Sequence, residues 1–331
     1  MMPAMPYITA HAGMRMGFGP GTIEESATRA SGYMRSLSTL AVAALLLGGC
    51  SIKETVVNYA GDAISGGGGV WSSDEDPQLI KEALPFGLKT NESLLEVSPE
   101  HKGLLEATAT GFLAYALLIK EEADLIEADD LQAARKLKTR ASRLFLRGRD
   151  HALRALEQRY PGFTEGLKTD LAATLAQTGA EDAAFLYLAG AGWAGALGAD
   201  TGNLELVAGF PTAGALVARV LEVDGDFNKG SAHEFMVSFE AARPGGSIEA
   251  ARRHYERALQ LSGGRRASTY LALAEGVSVG EQDVNEFRAM LRAARAVDVE
   301  LEPNDRLLNV VAQERAEWLE GRIPDLFLVA E

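Results

Sequence analysis

The chain has 331 residues, a formal net charge of −14 and one cysteine. That charge argues against nucleic acid, because holding phosphates needs a basic surface that releases counterions. A lone cysteine excludes disulfides, iron–sulfur clusters, thiol redox pairs and cysteine-bearing zinc sites.

Residues 1–33 carry no basic stretch beside an apolar run and read as an upstream segment, untranslated or disordered. Met34-Arg35 then leads into Leu37 to Leu47, an apolar run far short of the ~20 residues that span a bilayer, and so a signal-peptide core. Leu47-Gly48-Gly49-Cys50 sets small residues before an acylatable thiol, a pattern similar to the lipobox of bacterial lipoproteins. It predicts a signal peptide over 34–49 and a mature chain attached to the membrane only through lipid on Cys50. Ser51, in place of Asp, favours the periplasmic (inner) leaflet of the outer membrane. The mature chain from Cys50 onward exceeds the ~250 residues at which one core usually stops growing, so two domains or one extended repeat array both fit.

Residues 50–76 form the lipidated N-terminus and a tether, since Gly66-Gly67-Gly68-Gly69 holds no regular conformation cheaply. From 77 to 331 apolar residues recur at helical intervals, and no period-two strand is evident. Ser98-Pro99-Glu100 predicts a helix start, with Ser98 as cap and proline in the first turn. Leu137, Ala141, Leu144, Gly148, His151 and Ala155 mark one face of a helix whose other face carries Lys136, Arg140, Arg143, Arg147 and Arg154. Ile248 to Leu259 reads as a further helix, stopped by Gly263-Gly264. Helix ends of similar sequence close at Val223, Leu261 and Val297, spaced 38 and 36 residues apart, near the ~34-residue tetratricopeptide unit. The expected fold is all-α: a tetratricopeptide-like α-solenoid of degenerate helical hairpins, whose stacked units leave a concave or enclosed binding surface.

No catalytic pattern emerges. His101, His151, His233 and His254 include no H-E-x-x-H pair, and neither a G-x-S-x-G elbow nor a Walker loop occurs. The expectation is a protein without enzymatic activity, cofactor or metal. Three features remain. The basic run from Arg135 to Arg159, with Arg147 and Arg149, is either a solvated face pairing with the acidic run Glu121 to Asp130 or an anion-attracting surface. The small-residue helix Ala183 to Ala199, with Tyr187 and Trp193, is either close helix packing or the lining of a ligand channel. His233, Glu234 and Phe235 belong either to a capped core turn or to a polar site.

The string from Phe227 to Gly246, then Ala250, Arg252, Tyr255, Arg257, Ala258 and Leu259, then Ser262-Gly263-Gly264, closely resembles the TatT family, the T component of tripartite ATP-independent periplasmic (TRAP) transporters. Leu146-Arg147-Gly148-Arg149-Asp150, Ala191-Gly192-Trp193-Ala194 and the closing Asn304 to Trp318 extend the resemblance over roughly residues 84–327. It implies a periplasmic lipoprotein of degenerate tetratricopeptide hairpins, a homotrimer with a pore in each protomer, partnered with the solute-binding P subunit. The implied role is handover of a hydrophobic or organic-acid solute. Tyr187, Trp193, His233, Glu234, Phe235, Arg147 and Arg149 are the expected ligand or pore residues on local chemistry alone. A tetratricopeptide scaffold for envelope assembly and a cell-wall hydrolase are the competing readings.

Overall fold

The computed structural model describes residues 57–328, apart from 59, 64, 65 and 67. Cys50, the expected signal peptide over 34–49 and the expected upstream segment over 1–33 lie outside the described residues. Within them every regular element is helical. A short α1 (Gly68–Ser72) precedes three long helices, α2 (Pro77–Val97), α3 (Lys102–Ile126) and α4 (Leu131–Arg159). The brief α5 (Phe163–Thr169) and α6 (Leu171–Ala176) lead into α7 (Ala183–Ala199) and α8 (Leu204–Val223). Then come α9 (Phe227–Ala242), α10 (Ile248–Ser262), α11 (Ala267–Leu273), α12 (Val284–Arg295), α13 (Arg306–Gly321) and α14 (Ile323–Leu326).

Local chemistry sets the boundaries. Asp76, Asp130, Asn203, Ser247 and Asp283 each accept a hydrogen bond from a first-turn N–H of the helix they precede. Gly263 ends α10 at φ 61°, a left-handed cap that glycine adopts without a Cβ penalty. The start of α3 corrects the expectation for Ser98. That residue closes α2, its N–H donating to Leu94 O, and its hydroxyl donates to Asn58 Oδ1 at 2.6 Å. Pro99 disfavours helical backbone at the residue before it, so the cap passes to His101, whose Nδ1 accepts from Leu104 N at 3.2 Å. Within 50–76, α1 is helical despite its glycines, and its Trp71 lies over Gly87 of α2.

Consecutive helices pack in pairs, α3 on α4, α7 on α8, α9 on α10 and α11 on α12, with α4 also against α7. The similar helix ends seen in the sequence are those of α8, α10 and α12, the second member of each later pair. Glycines let α7 sit between two neighbours: a Cβ on Gly192 would stand 2.9 Å from Phe145 O of α4, and one on Gly190 2.8 Å from Ala213 O of α8. Both distances are shorter than a Cβ tolerates, so any larger residue must separate the helices.

The series also returns to its beginning. Leu307 and Val311 of α13 join Ile80, Leu84 and Leu88 of α2 in one apolar cluster. Arg306 Nη1 donates to Ser73 O beside α1 at 3.2 Å, and Arg315 reaches Glu121 and Asp124 of α3.

Candidate functional site

The most concentrated polar arrangement sits where α9 begins. Asn228, Lys229 and Gly230 all have positive φ, at 42°, 53° and 96°, a conformation that costs a non-glycine residue about 1 kcal/mol or more. Gly230 is required at its place, because a Cβ there would meet Ala258 Cα of α10 at 3.0 Å. Arg266, just before α11, holds the turn. Its Nη1 donates to Asn228 O at 2.7 Å and to the Ser231 hydroxyl, and its Nη2 donates to Asn228 Oδ1 at 3.2 Å. Nη2 and Nε also grip Asp305, at 3.1 and 3.3 Å. All five guanidinium N–H groups are thereby used, which is what lets a charged side chain stay buried. Lys229 and Arg265 meet on Glu302 at the rim.

Two of the expected residues open onto this cluster. Glu234, one helical turn beyond Gly230, accepts from Thr269 Oγ1 of α11 at 2.8 Å. Tyr187 of α7 packs its ring 5.3 Å from Phe227. Burial first, and then the charge of Glu234, push the Tyr187 phenol up to about 12, so it is a neutral donor at every physiological pH. The result is a phenol and a carboxylate beside a guanidinium whose donors are all spent within the fold, a small polar cluster among apolar helices.

The other expected residues lie elsewhere. His233 turns toward α10, its Nδ1 2.8 Å from Nδ1 of His254, and Phe235 stacks 6.0 Å from Phe239, which in turn meets Phe210. Positions 233, 234 and 235 thus point in three directions, as the ~100° step of a helix requires. Trp193 lies against Gly209 of α8, with the Arg149 guanidinium 4.9 Å from its ring. Its buried Nε1 has no acceptor among the described residues, and Arg149 is itself bonded to Asp150 at 2.8 Å. Arg147 is taken by Glu92 of α2 through Nε at 2.6 Å and Nη2, and covers Phe112 at 4.9 Å. The basic run is therefore largely paired within the fold, Lys138 included, which bonds Asp124 and Glu127 of the acidic run at 3.1 and 2.9 Å. Nothing in the sequence singles out Arg266 or Asp305. The only local hint is Asn-Lys-Gly, a composition tolerant of left-handed backbone.

The histidines yield a pH prediction. Burial first, outweighing Glu92, holds His151 below the usual imidazole value; burial and then His254 and Arg257 do so for His233, and burial for His254. With folded-state values lowered, the unfolded chain takes up protons first, so this contribution to stability is complete above about pH 6.5 and declines below it. The thermal midpoint should fall between about pH 6.5 and 5 in wild type and less in His254→Asn, which keeps a polar partner for His233. Equal slopes in the two proteins would show that the pair does not titrate on unfolding.

Similarity to known proteins agrees in direction. A family model described as TRAP transporter T-component matches residues 73–327. An uncharacterised protein of Treponema pallidum (strain Nichols) is 28% identical over 267 residues, covering 78% of this chain and 83% of that one.

Proposed function

Because the chain belongs to the TRAP transporter T-component family, we propose that it is a non-enzymatic periplasmic lipoprotein that docks the solute-binding P subunit and holds or passes a hydrophobic or organic-acid ligand. The family is associated with the periplasmic side of the envelope and with the other transporter components. The observation that carries the ligand reading is the return of α13 to α1, α2 and α3, which gives the helical series an inner side. The helix pairs and the regular spacing of the ends of α8, α10 and α12 favour a tetratricopeptide-like array. Tyr187 and Glu234 supply the polar contact such a ligand needs, on a cluster that Arg266 holds in place.

The homotrimer finds support in α8. Leu204, Val207, Ala208 and Pro211 are exposed along it, and about a third of its most apolar stretch is buried. A continuous apolar face of that kind marks an interaction surface.

The test is native mass spectrometry of the Cys50→Ala chain, alone and with the P subunit from the same transporter, with and without its solute. A trimer that binds the P subunit is expected. Leu204→Glu should reduce it to monomer, and Glu234→Gln should lower solute retention without altering mass. A monomeric wild type that ignores the P subunit at micromolar concentration would refute the reading.

A further inference from the structure

The N-terminal corner of the helical domain exposes an unusual amount of large apolar side chain. Phe86 is 81% exposed, Val70 75%, Leu79 53% and Trp71 37%. They are neighbours. Trp71 rests on Gly87, 3.6 Å from where its Cβ would stand, Phe86 is the adjacent residue, and Leu79 lies seven positions earlier on the same face of α2. Single exposed apolar residues are ordinary, whereas four gathered at one corner, with Glu82 between Leu79 and Phe86 as the charge among them, mark a contact surface.

Chain geometry says what covers it. Asn58 is fastened to the α2–α3 turn by Ser98 Oγ at 2.6 Å and by His101 Nε2 at 3.2 Å. From Cys50 to Asn58 the chain can therefore extend no farther than roughly 28 Å. Phe86 stands twelve residues before Ser98, about 18 Å back along the α2 axis. A lipid on Cys50 thus keeps a bilayer within reach of this corner, and exposed Trp and Phe side chains suit the boundary between headgroups and acyl chains. Asp74, Glu75 and Asp76 flank the patch, while Lys81 is paired with Glu122 and Lys89 with Glu92. That charge pattern suits a zwitterionic surface and not an anionic one.

We propose that Val70, Trp71, Leu79 and Phe86 form a membrane-contacting surface that seats the domain on the zwitterionic phospholipid bilayer to which Cys50 is tethered. The contact adds to the lipid anchor and sets which end of the helical domain faces the membrane. It rests on the lipidation of Cys50 proposed above, and the test separates the two. Cys50 is the chain's one cysteine, so in a mature chain beginning there its thiol can be coupled to a maleimide phospholipid, which supplies an anchor whatever the native modification.

Anchored protein on phosphatidylcholine vesicles containing brominated phosphatidylcholine should show tryptophan quenching that Trp71→Phe lacks. Phe86→Ser combined with Leu79→Ser should reduce that difference at least ~3-fold with the helical circular dichroism unchanged. Trp71 unquenched, or quenched equally in the double variant, would overturn the proposal. So would a double variant that loses trimer or P-subunit binding while wild-type Trp71 stays unquenched, since the patch would then be a protein interface. Mass spectrometry of the natively expressed protein reports separately on Cys50; an unmodified thiol there refutes the anchor reading, and the quenching arm alone decides the corner.

Discussion

Arg266→Met should lower the thermal midpoint by roughly 6–20 °C, the consequence of a ~3–5 kcal/mol loss spread over a domain of this size. Removing the guanidinium strands Asp305, only 13% exposed at its side chain, and withdraws the donors that Asn228 and Ser231 use to hold the left-handed turn. Lysine keeps the charge and loses the planar fork, so Arg266→Lys should recover only part of the stability. Arg265 offers the internal control. It is half-exposed and meets Glu302 at the rim, where ion pairs contribute about 0–1 kcal/mol, and Arg265→Ala should shift the midpoint by no more than a few degrees. Midpoints by differential scanning calorimetry decide the matter; equal shifts in the two arginine variants would mean that Arg266 does not organise the turn. Because Tyr187 and Glu234 open onto the same cluster, a folded Arg266→Lys chain should also retain solute less well.

How much of the fold is legible in the sequence depends on where the information lies. The helices are legible because their signals are local: Gly263-Gly264 ends α10, and the three- and four-residue steps from Leu137 to Ala155 run along one edge of the buried face of α4, sharing Ala141 and Gly148 with it while Phe145, Ala152 and Leu156 form its centre. Ser98 misleads because a small polar residue before proline looks alike whether it caps the helix to come or closes the one behind. The glycines of α7 are legible as close packing, though not their partners, which come from α4 and α8. The polar cluster is half legible. Tyr187 and Glu234 stand out among apolar helical residues, but Arg266 and Asp305 pair across 39 positions, and such a pairing exists only once α13 has been led back to its place. Arg147 stands out for the same reason as Tyr187, an unusual side chain in a regular pattern, and there the explanation is an ion pair with Glu92.

Arg315→Met should release the closure of the helical series. Arg315 donates to Asp124 Oδ2 at 2.8 Å, Glu121 Oε2 at 3.4 Å and Glu275 Oε2 at 2.7 Å, and lies 4.3 Å from the Trp318 ring. Without it three carboxylates remain at the seam, and only Lys120 and Lys138 face Asp124, at 2.8 and 3.1 Å. Burial would raise Asp124, yet Lys120, Arg315 and Lys138 outweigh it and hold the carboxyl at about 2 instead of 3.8. A depressed carboxyl contributes stability that is complete above its unfolded value and disappears as the pH falls through the folded one. In wild type this contribution, roughly 2 kcal/mol, is lost between about pH 4 and 2. In Arg315→Met it should be smaller throughout and vanish at higher pH. The loss is expected to be local before it is global, because α13 meets α1, α2 and α3 through few contacts beyond Leu307, Val311 and these charges. Hydrogen exchange should therefore quicken first in α1 and α13, with α9 and α10 still protected. Exchange that rises uniformly would show that the seam opens only with the whole domain, and exchange that does not rise would show that the apolar cluster alone holds it. If the inner side of the array is where solute is held, the same variant should release bound solute faster while still binding the P subunit.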